Sequence, residues 1–164
     1  MGKSKYETVI SYLKSTDETR SKHSKTAQKI LIAAEALFSE QGFTDTTVRQ
    51  ITKTANVNLA AVNYHFHSKQ GLIWAVADNY LSPFSSSLNT LLDESLSIRK
   101  EHAGKIEELL EILMRALLKL GHSKQFALPL FTRLLELLYM KDQEELRTVF
   151  VESYGQEFSS FIQL

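Results

Sequence analysis

The chain has 164 residues, 43% apolar and 23% charged, with a formal net charge of zero. These are the proportions of one ordinary globular domain or two small helical ones, and six Gly with two Pro exclude collagen-like and low-complexity architectures. With no Cys there is no disulfide framework, thiolate metal site, Fe–S cluster or thiol nucleophile.

No uninterrupted apolar run approaches the roughly 20 residues of a membrane span or forms the apolar core of a signal peptide. The expectation is a cytoplasmic protein with no membrane partner. The charge is uneven. Residues 1–24 and residues 25–70 each carry five Lys/Arg against three Asp/Glu, whereas residues 71–164 carry nine against thirteen. A basic front and an acidic back point the front at a polyanion.

Residues 1–23 read as a flexible arm. Tyr6, Val9, Ile10 and Leu13 form a short stripe at helical spacing, and Arg20, Lys22, His23, Lys25 and Lys29 follow as a basic cluster. A first helix is predicted from Lys25 to Gln41, capped by Ser24. Its apolar stripe is Ala27, Ile30, Ala33, Ala34, Leu37 and Phe38. Gly42 suits the left-handed position that closes it, with Phe43 as the accompanying hydrophobic contact.

Thr46 or Thr47 caps a second helix, and Thr47 with Gln50 fits a capping box. Val48, Ile51 and Ala55 face inward. Asn56 tolerates positive φ and ends the helix, and Val57 packs in the turn. Asn58 then caps a short third helix, Leu59 to Phe66, with Val62 and Phe66 inward. Ser68 caps a fourth helix carrying Leu72, Ala75, Val76 and Tyr80, expected to end near Pro83. Two short helices joined by a tight turn after a longer one make helix-turn-helix geometry, in which the second short helix can enter a major groove.

The remainder reads as helices near 84–98, 104–120, 126–140 and 142–162, with breaks near Gly104 and at Gly121. The predicted stripes are Ile106, Leu109, Leu110, Leu113 and Leu117; then Phe126, Leu130, Phe131, Leu134, Leu137 and Leu138; then Leu146, Val149, Phe150, Tyr154, Phe158 and Phe161. The fold class is therefore all-α.

In chain order, Ile30-Leu31, Ala33-Ala34, Leu37-Phe38, Gly42-Phe43, Thr46-Thr47-Val48-Arg49, Ile51, Ala55-Asn56-Val57-Asn58, Val62-Asn63-Tyr64-His65-Phe66 and Ser68-Lys69 resemble the tetracycline-repressor (TetR) family of transcriptional regulators. The resemblance runs from Thr26 to about Leu81. Asn56 stands where the family turn usually has Gly, and Asn58 where the cap is usually Ser or Thr. Further on, Leu81-x-Pro83-Phe84, Arg133-Leu134-Leu135 and Tyr154-Gly155-x-x-Phe158 resemble a subgroup that includes fatty-acid-responsive regulators.

The resemblance implies a three-helix DNA-binding domain over 24–68 and a helical ligand-binding and dimerisation domain over 69–164. Family members continue for one or two further helices that pair across a twofold axis. This chain stops at Leu164, so the expectation is a homodimer-forming family represented by a chain short of those helices.

Carried over to this sequence, the recognition helix is Asn58–Phe66. Asn58 would bond a phosphate or base edge, and Leu59, Ala60 and Ala61 would face the groove, where small apolar groups read thymine methyls. Leu59 could instead pack on the first helix. Asn63 could reach a base or phosphate. Tyr64, His65 and Lys69 match the family's phosphate clamps, with Lys25 beside them, although Tyr64 could also be a half-buried core aromatic. Thr47 could offer its hydroxyl and backbone N–H to a phosphate or serve only as a cap.

For the family's ligand, the candidate lining is Trp74, Tyr80, Phe84, Leu88, Leu113, Leu117, Phe126, Leu130 and Arg133. These suit an apolar or amphipathic inducer, with Arg133 for a carboxylate or phosphate, and they equally suit plain core.

His65 and His67 are two apart and do not form a helical metal pair. No zinc-hydrolase, nucleophile-elbow, Walker or dinucleotide motif is present, so no enzyme activity and no cofactor are expected. The expected function is a ligand-responsive repressor that binds a palindromic operator in double-stranded DNA as a dimer. The alternatives are a helical protein-interaction module whose head no longer binds DNA, and a small-molecule-binding helical protein or enzyme.

Overall fold

A computed structural model describes residues 25–98, 106–123, 126–139, 147–148 and 150–155. Six helices follow in order: α1 (Lys25–Asp45), α2 (Val48–Ala55), α3 (Leu59–Phe66), α4 (Lys69–Ile98), α5 (Ile106–Ser123) and α6 (Ala127–Tyr139). Residues 147–148 and 150–155 are also helical, and no strand occurs among the described residues. The architecture is all-α, as the periodicities predict. The N-terminal arm, Ser24, the Gly104 region and Leu146, Val149, Phe158 and Phe161 lie outside the described residues.

The chain divides into two compact units. One comprises residues 1–78 together with Pro129–Leu137, the other Asn79–Leu128 with Leu138–Leu164. In the first unit α1, α2 and α3 pack pairwise. Ile30, Ala34 and Phe38 of α1, Ile51 and Ala55 of α2, and Val62 and Phe66 of α3 are all buried, as are Leu72 and Val76 of α4. Each large apolar side chain so buried contributes roughly 1.5–3 kcal/mol.

The connections are fixed by local chemistry. Gly42 interrupts α1 with φ 84 and ψ 170. The positive φ agrees with expectation, but ψ is extended rather than left-handed helical, and the chain makes one more turn to Asp45 before it leaves α1. Phe43 is buried after that break, its ring 4.8 Å from that of Phe38. Thr46 is fully buried and its hydroxyl donates to the Gly42 carbonyl (2.7 Å), with the Leu37 carbonyl 3.3 Å away. Thr47, not Thr46, is therefore the cap of α2. It forms the complete capping box with Gln50. Asn56 adopts φ 52, ψ 53 and closes α2.

Asn58 caps α3 by accepting from the Ala60 amide at 3.0 Å. At the far end His67 has φ 63, and its amide donates to Asn63. Two residues in positive-φ backbone thus bracket the short helix. Ser68 starts α4, its hydroxyl accepting from the Gly71 amide at 3.0 Å.

Three sequence expectations need correction. α4 does not end near Pro83 but runs on to Ile98 as one helix. The apolar spacing Tyr80, Phe84, Leu88 and Leu92 continues unbroken past the proline and all four are buried, which outweighs the roughly 3 kcal/mol that an interior proline costs. α5 likewise passes through Gly121 to Ser123; nothing lies within 4 Å of a Cβ there, so the glycine is tolerated rather than required.

The face of α5 is also rotated. Ile112, Ala116 and Leu120 are buried, whereas Leu110, expected inside, is exposed with Met114 and Leu118; Leu109, Leu113 and Leu117 lie between. In α6, Leu130, Leu134 and Leu137 are buried as predicted, with Ala127, while Phe126 and Phe131 are partly exposed. In segment 150–155 Tyr154 is buried and its ring lies 5.8 Å from that of Phe150.

Candidate nucleic-acid interface

The first unit presents α3 with one face buried and the other open. Val62 and Phe66 anchor it from within, and Asn58, Leu59, Ala60, Asn63 and Tyr64 are exposed, with Ala61 and His65 intermediate. Leu59 is 45% exposed and Tyr64 79%. Neither is a core side chain. Large apolar and aromatic groups facing water on a helix capped at both ends suit insertion into a groove.

Each remaining predicted residue has a definite local setting. Asn58 is exposed and uses its side-chain carbonyl oxygen to accept from the Ala60 amide. Tyr64 and His65 meet edge to face at 4.9 Å, and His65 meets Phe66 at 6.2 Å. Lys25 is exposed at the start of α1, whose first turn holds no acidic residue, so its charge adds to the positive end of the helix dipole. The Thr47 N–H and hydroxyl both donate to the Gln50 side chain at 2.7 Å; a phosphate would have to displace that oxygen.

Lys69 is tied down. Its Nζ donates to the Thr44 carbonyl at 3.1 Å, joining the start of α4 to the end of α1. Burial pushes its ammonium below the ordinary lysine value, and nearby Asp45 acts in the opposite direction.

Two features lie outside the predicted site residues. Gly71 is one: a Cβ there would stand 2.1 Å from the backbone oxygen of Phe66, so only glycine lets α4 start this close to the end of α3. The other is the pair Arg49 and Lys53, exposed on α2 at i, i+4 spacing. The basic spacing was visible in the sequence, but the glycine contact is not local enough to read there.

The predicted ligand lining is divided between the two compact units. Trp74, Leu130 and Arg133 belong to the first unit, and Tyr80, Phe84, Leu88, Leu113, Leu117 and Phe126 to the second. Trp74, Tyr80, Phe84, Leu88 and Leu130 are buried as core. Arg133 pairs with Glu136 at 3.0 Å. A cleft of about 200 Å³ lies elsewhere in the second unit, lined by Leu91, Glu94, Ser95, Glu108, Glu111, Ile112 and Arg115. Among the described residues no group of three or more His, Asp or Glu is placed to hold a metal, and no helix is long and apolar enough to cross a membrane.

These helices, caps and exposed side chains define a helix-turn-helix head. Residues 30–76 match the family model for bacterial regulatory proteins of the tetR family. The chain is 38% identical over 65 residues to the probable HTH-type transcriptional regulator YttP of Bacillus subtilis, covering 40% of this chain and 31% of that protein. It is 33% identical over 70 residues to the biofilm operon icaADBC negative regulator IcaR of Staphylococcus epidermidis, covering 43% and 38%. The matched region therefore spans about a third of these relatives' length.

Two solved structures share the fold over more of the chain. A TerR/AcrR-family transcriptional regulator from Aquifex aeolicus matches with a TM-score of 0.53 at 24% identity, over 84% of this chain and 71% of that one. A regulator from Streptomyces coelicolor matches with 0.51 at 19% identity, over 85% and 75%.

Proposed function

We propose that the chain is a DNA-binding transcriptional regulator whose α3 reads base edges in the major groove. The observation that carries this is the exposure of Leu59 and Tyr64 on a helix whose opposite side chains, Val62 and Phe66, are buried. Ala60, Ala61 and Asn63 meet bases, and Tyr64, His65, Lys69, Lys25, Asn58 and Thr47 position the phosphates. Phosphate contacts set register and supply salt-dependent affinity, whereas base contacts carry sequence information.

In the finer reading the protein is a cytoplasmic repressor that acts as a homodimer on a palindromic operator. IcaR, described as a negative regulator, supports the sign. An apolar or amphipathic inducer, suggested by the resemblance to the subgroup with fatty-acid-responsive members, binds the second unit among Tyr80, Phe84, Leu88, Leu113, Leu117 and Phe126. It releases DNA by favouring a conformation with lower DNA affinity, which requires different ligand affinity in the two states.

Selection from random duplex DNA at moderate salt tests the proposal. Enrichment of a palindrome with half-sites about one helical turn apart is the expected result. Enrichment of a single half-site would retain DNA reading and remove the dimer. No enrichment, with binding insensitive to salt, would leave the head as a protein-interaction module.

A further inference from the structure

The last turn of α1 contains no basic residue, although the exposed carbonyls of a helix C-terminus attract cations. Two basic side chains from other helices lie near that end. Lys69 of α4 donates to the Thr44 carbonyl. Arg133 of α6 lies over Gly42, with its Cδ, Nε and Cζ each 3.9 Å from the point where a glycine Cβ would be. Arg133 sits in Pro129–Leu137, which belongs to the head's own compact unit. Leu130, Leu134 and Leu137 of that segment are buried, and Glu136 holds the guanidinium at 3.0 Å.

We propose that Arg133 is a positioning residue of the head, capping α1 from outside and fixing the turn that launches α2. Gly42 has the positive φ, and its carbonyl accepts from Thr46. Thr46 adjoins Thr47, the cap of α2, and α2 leads through Asn56 to α3. A guanidinium over Gly42 therefore acts on α3 through the turn without touching DNA. The DNA part of this inference rests on the reading given above; the cap itself does not.

Amide hydrogen exchange on the full chain, compared with Arg133→Gln and Arg133→Lys, tests the cap. In the Gln variant, exchange at residues 43–46 should quicken by about two- to fivefold, the scale of an exposed helix-end charge. The Lys variant should recover most of the protection. Unchanged exchange in the Gln variant, or a Lys variant no better than Gln, would overturn the proposal. In the parent, molar salt should quicken those same amides relative to the α1 core, a readout that needs no variant to fold.

Binding to the selected DNA separates positioning from contact. Arg133→Gln should weaken binding by a similar factor without changing the slope of log affinity against log salt. A slope smaller by about one unit would make Arg133 a phosphate contact and overturn the positioning role. If the parent binds no DNA, the functional reading fails while the exchange measurement still decides the cap.

Discussion

The missing Cβ of Gly71 leaves the space in which the Phe66 carbonyl oxygen sits, 2.1 Å from where that atom would be. The Ser68 amide donates to that same oxygen at 2.7 Å. The end of α3 and the start of α4 are therefore locked against each other by backbone atoms, which cannot rotate away as a side chain can.

Gly71→Ala should consequently destabilise the protein, although Gly→Ala inside a helix ordinarily gains up to about 1 kcal/mol. Forced overpacking costs about 1–3 kcal/mol. At about 2–4 °C per kcal/mol for a chain of this size, a thermal melt should drop by several degrees. An unchanged or raised Tm would mean that α4 can move away from Phe66 freely.

Tyr64→Phe should leave the melt unchanged within about 0.5 kcal/mol, the usual range for a surface substitution, because the ring is 79% exposed. DNA affinity should fall by a similar factor on every sequence, with preference unaltered. Ala61→Ser should do the reverse and alter the preferred base while sparing the salt slope. Equal sequence logos from the parent and the Ala61 variant would remove Ala61 from the base-reading set.

Lys69 gives a pH dependence with a definite sign. Burial lowers its folded pKa below the ordinary 10.5, so the folded chain binds fewer protons than the unfolded one just below that value. Stability linked to Lys69 therefore rises with pH across that alkaline window and is flat at neutral pH. Lys69→Met should remove this dependence. Denaturant midpoints of parent and variant, taken from neutral pH to just above the ordinary lysine value, should diverge only in the alkaline range and in the parent's favour. A constant difference would show that burial leaves the Lys69 titration unperturbed.

Pro83→Ala should stabilise the chain. Pro83 is exposed within α4, where it cannot donate the helical hydrogen bond. Removing it loses little packing and should gain about 1–3 kcal/mol, seen as a higher denaturant midpoint. A lower midpoint would mean that the backbone geometry set by proline is needed by the buried Phe84 and Leu88.

The parts of the molecule legible in the sequence are those set by neighbours in the chain. Thr47 with Gln50, Asn56 with its positive φ, Asn58 with Ala60 and Ser68 with Gly71 are contacts across two or three residues, and each residue type has few other reasons to be there. Pro83 misled because a local rule lost to the apolar spacing on either side. α5 misled because its leucines lie on several faces, so periodicity alone does not select the one that packs. Gly71 against Phe66, Lys69 against Thr44 and Arg133 against Gly42 depend on where chain segments meet. No window of sequence holds the last two pairs.

The two positive-φ residues around α3, Asn56 and His67, lie outside the eight residues of the helix. The aim of that helix is set by its mounts, not by its outward side chains. On the proposed reading, Leu59, Ala60, Ala61 and Asn63 would form an exchangeable cartridge. Their identities would then be open to change toward a new operator while Val62, Phe66 and both brackets keep the helix pointed the same way.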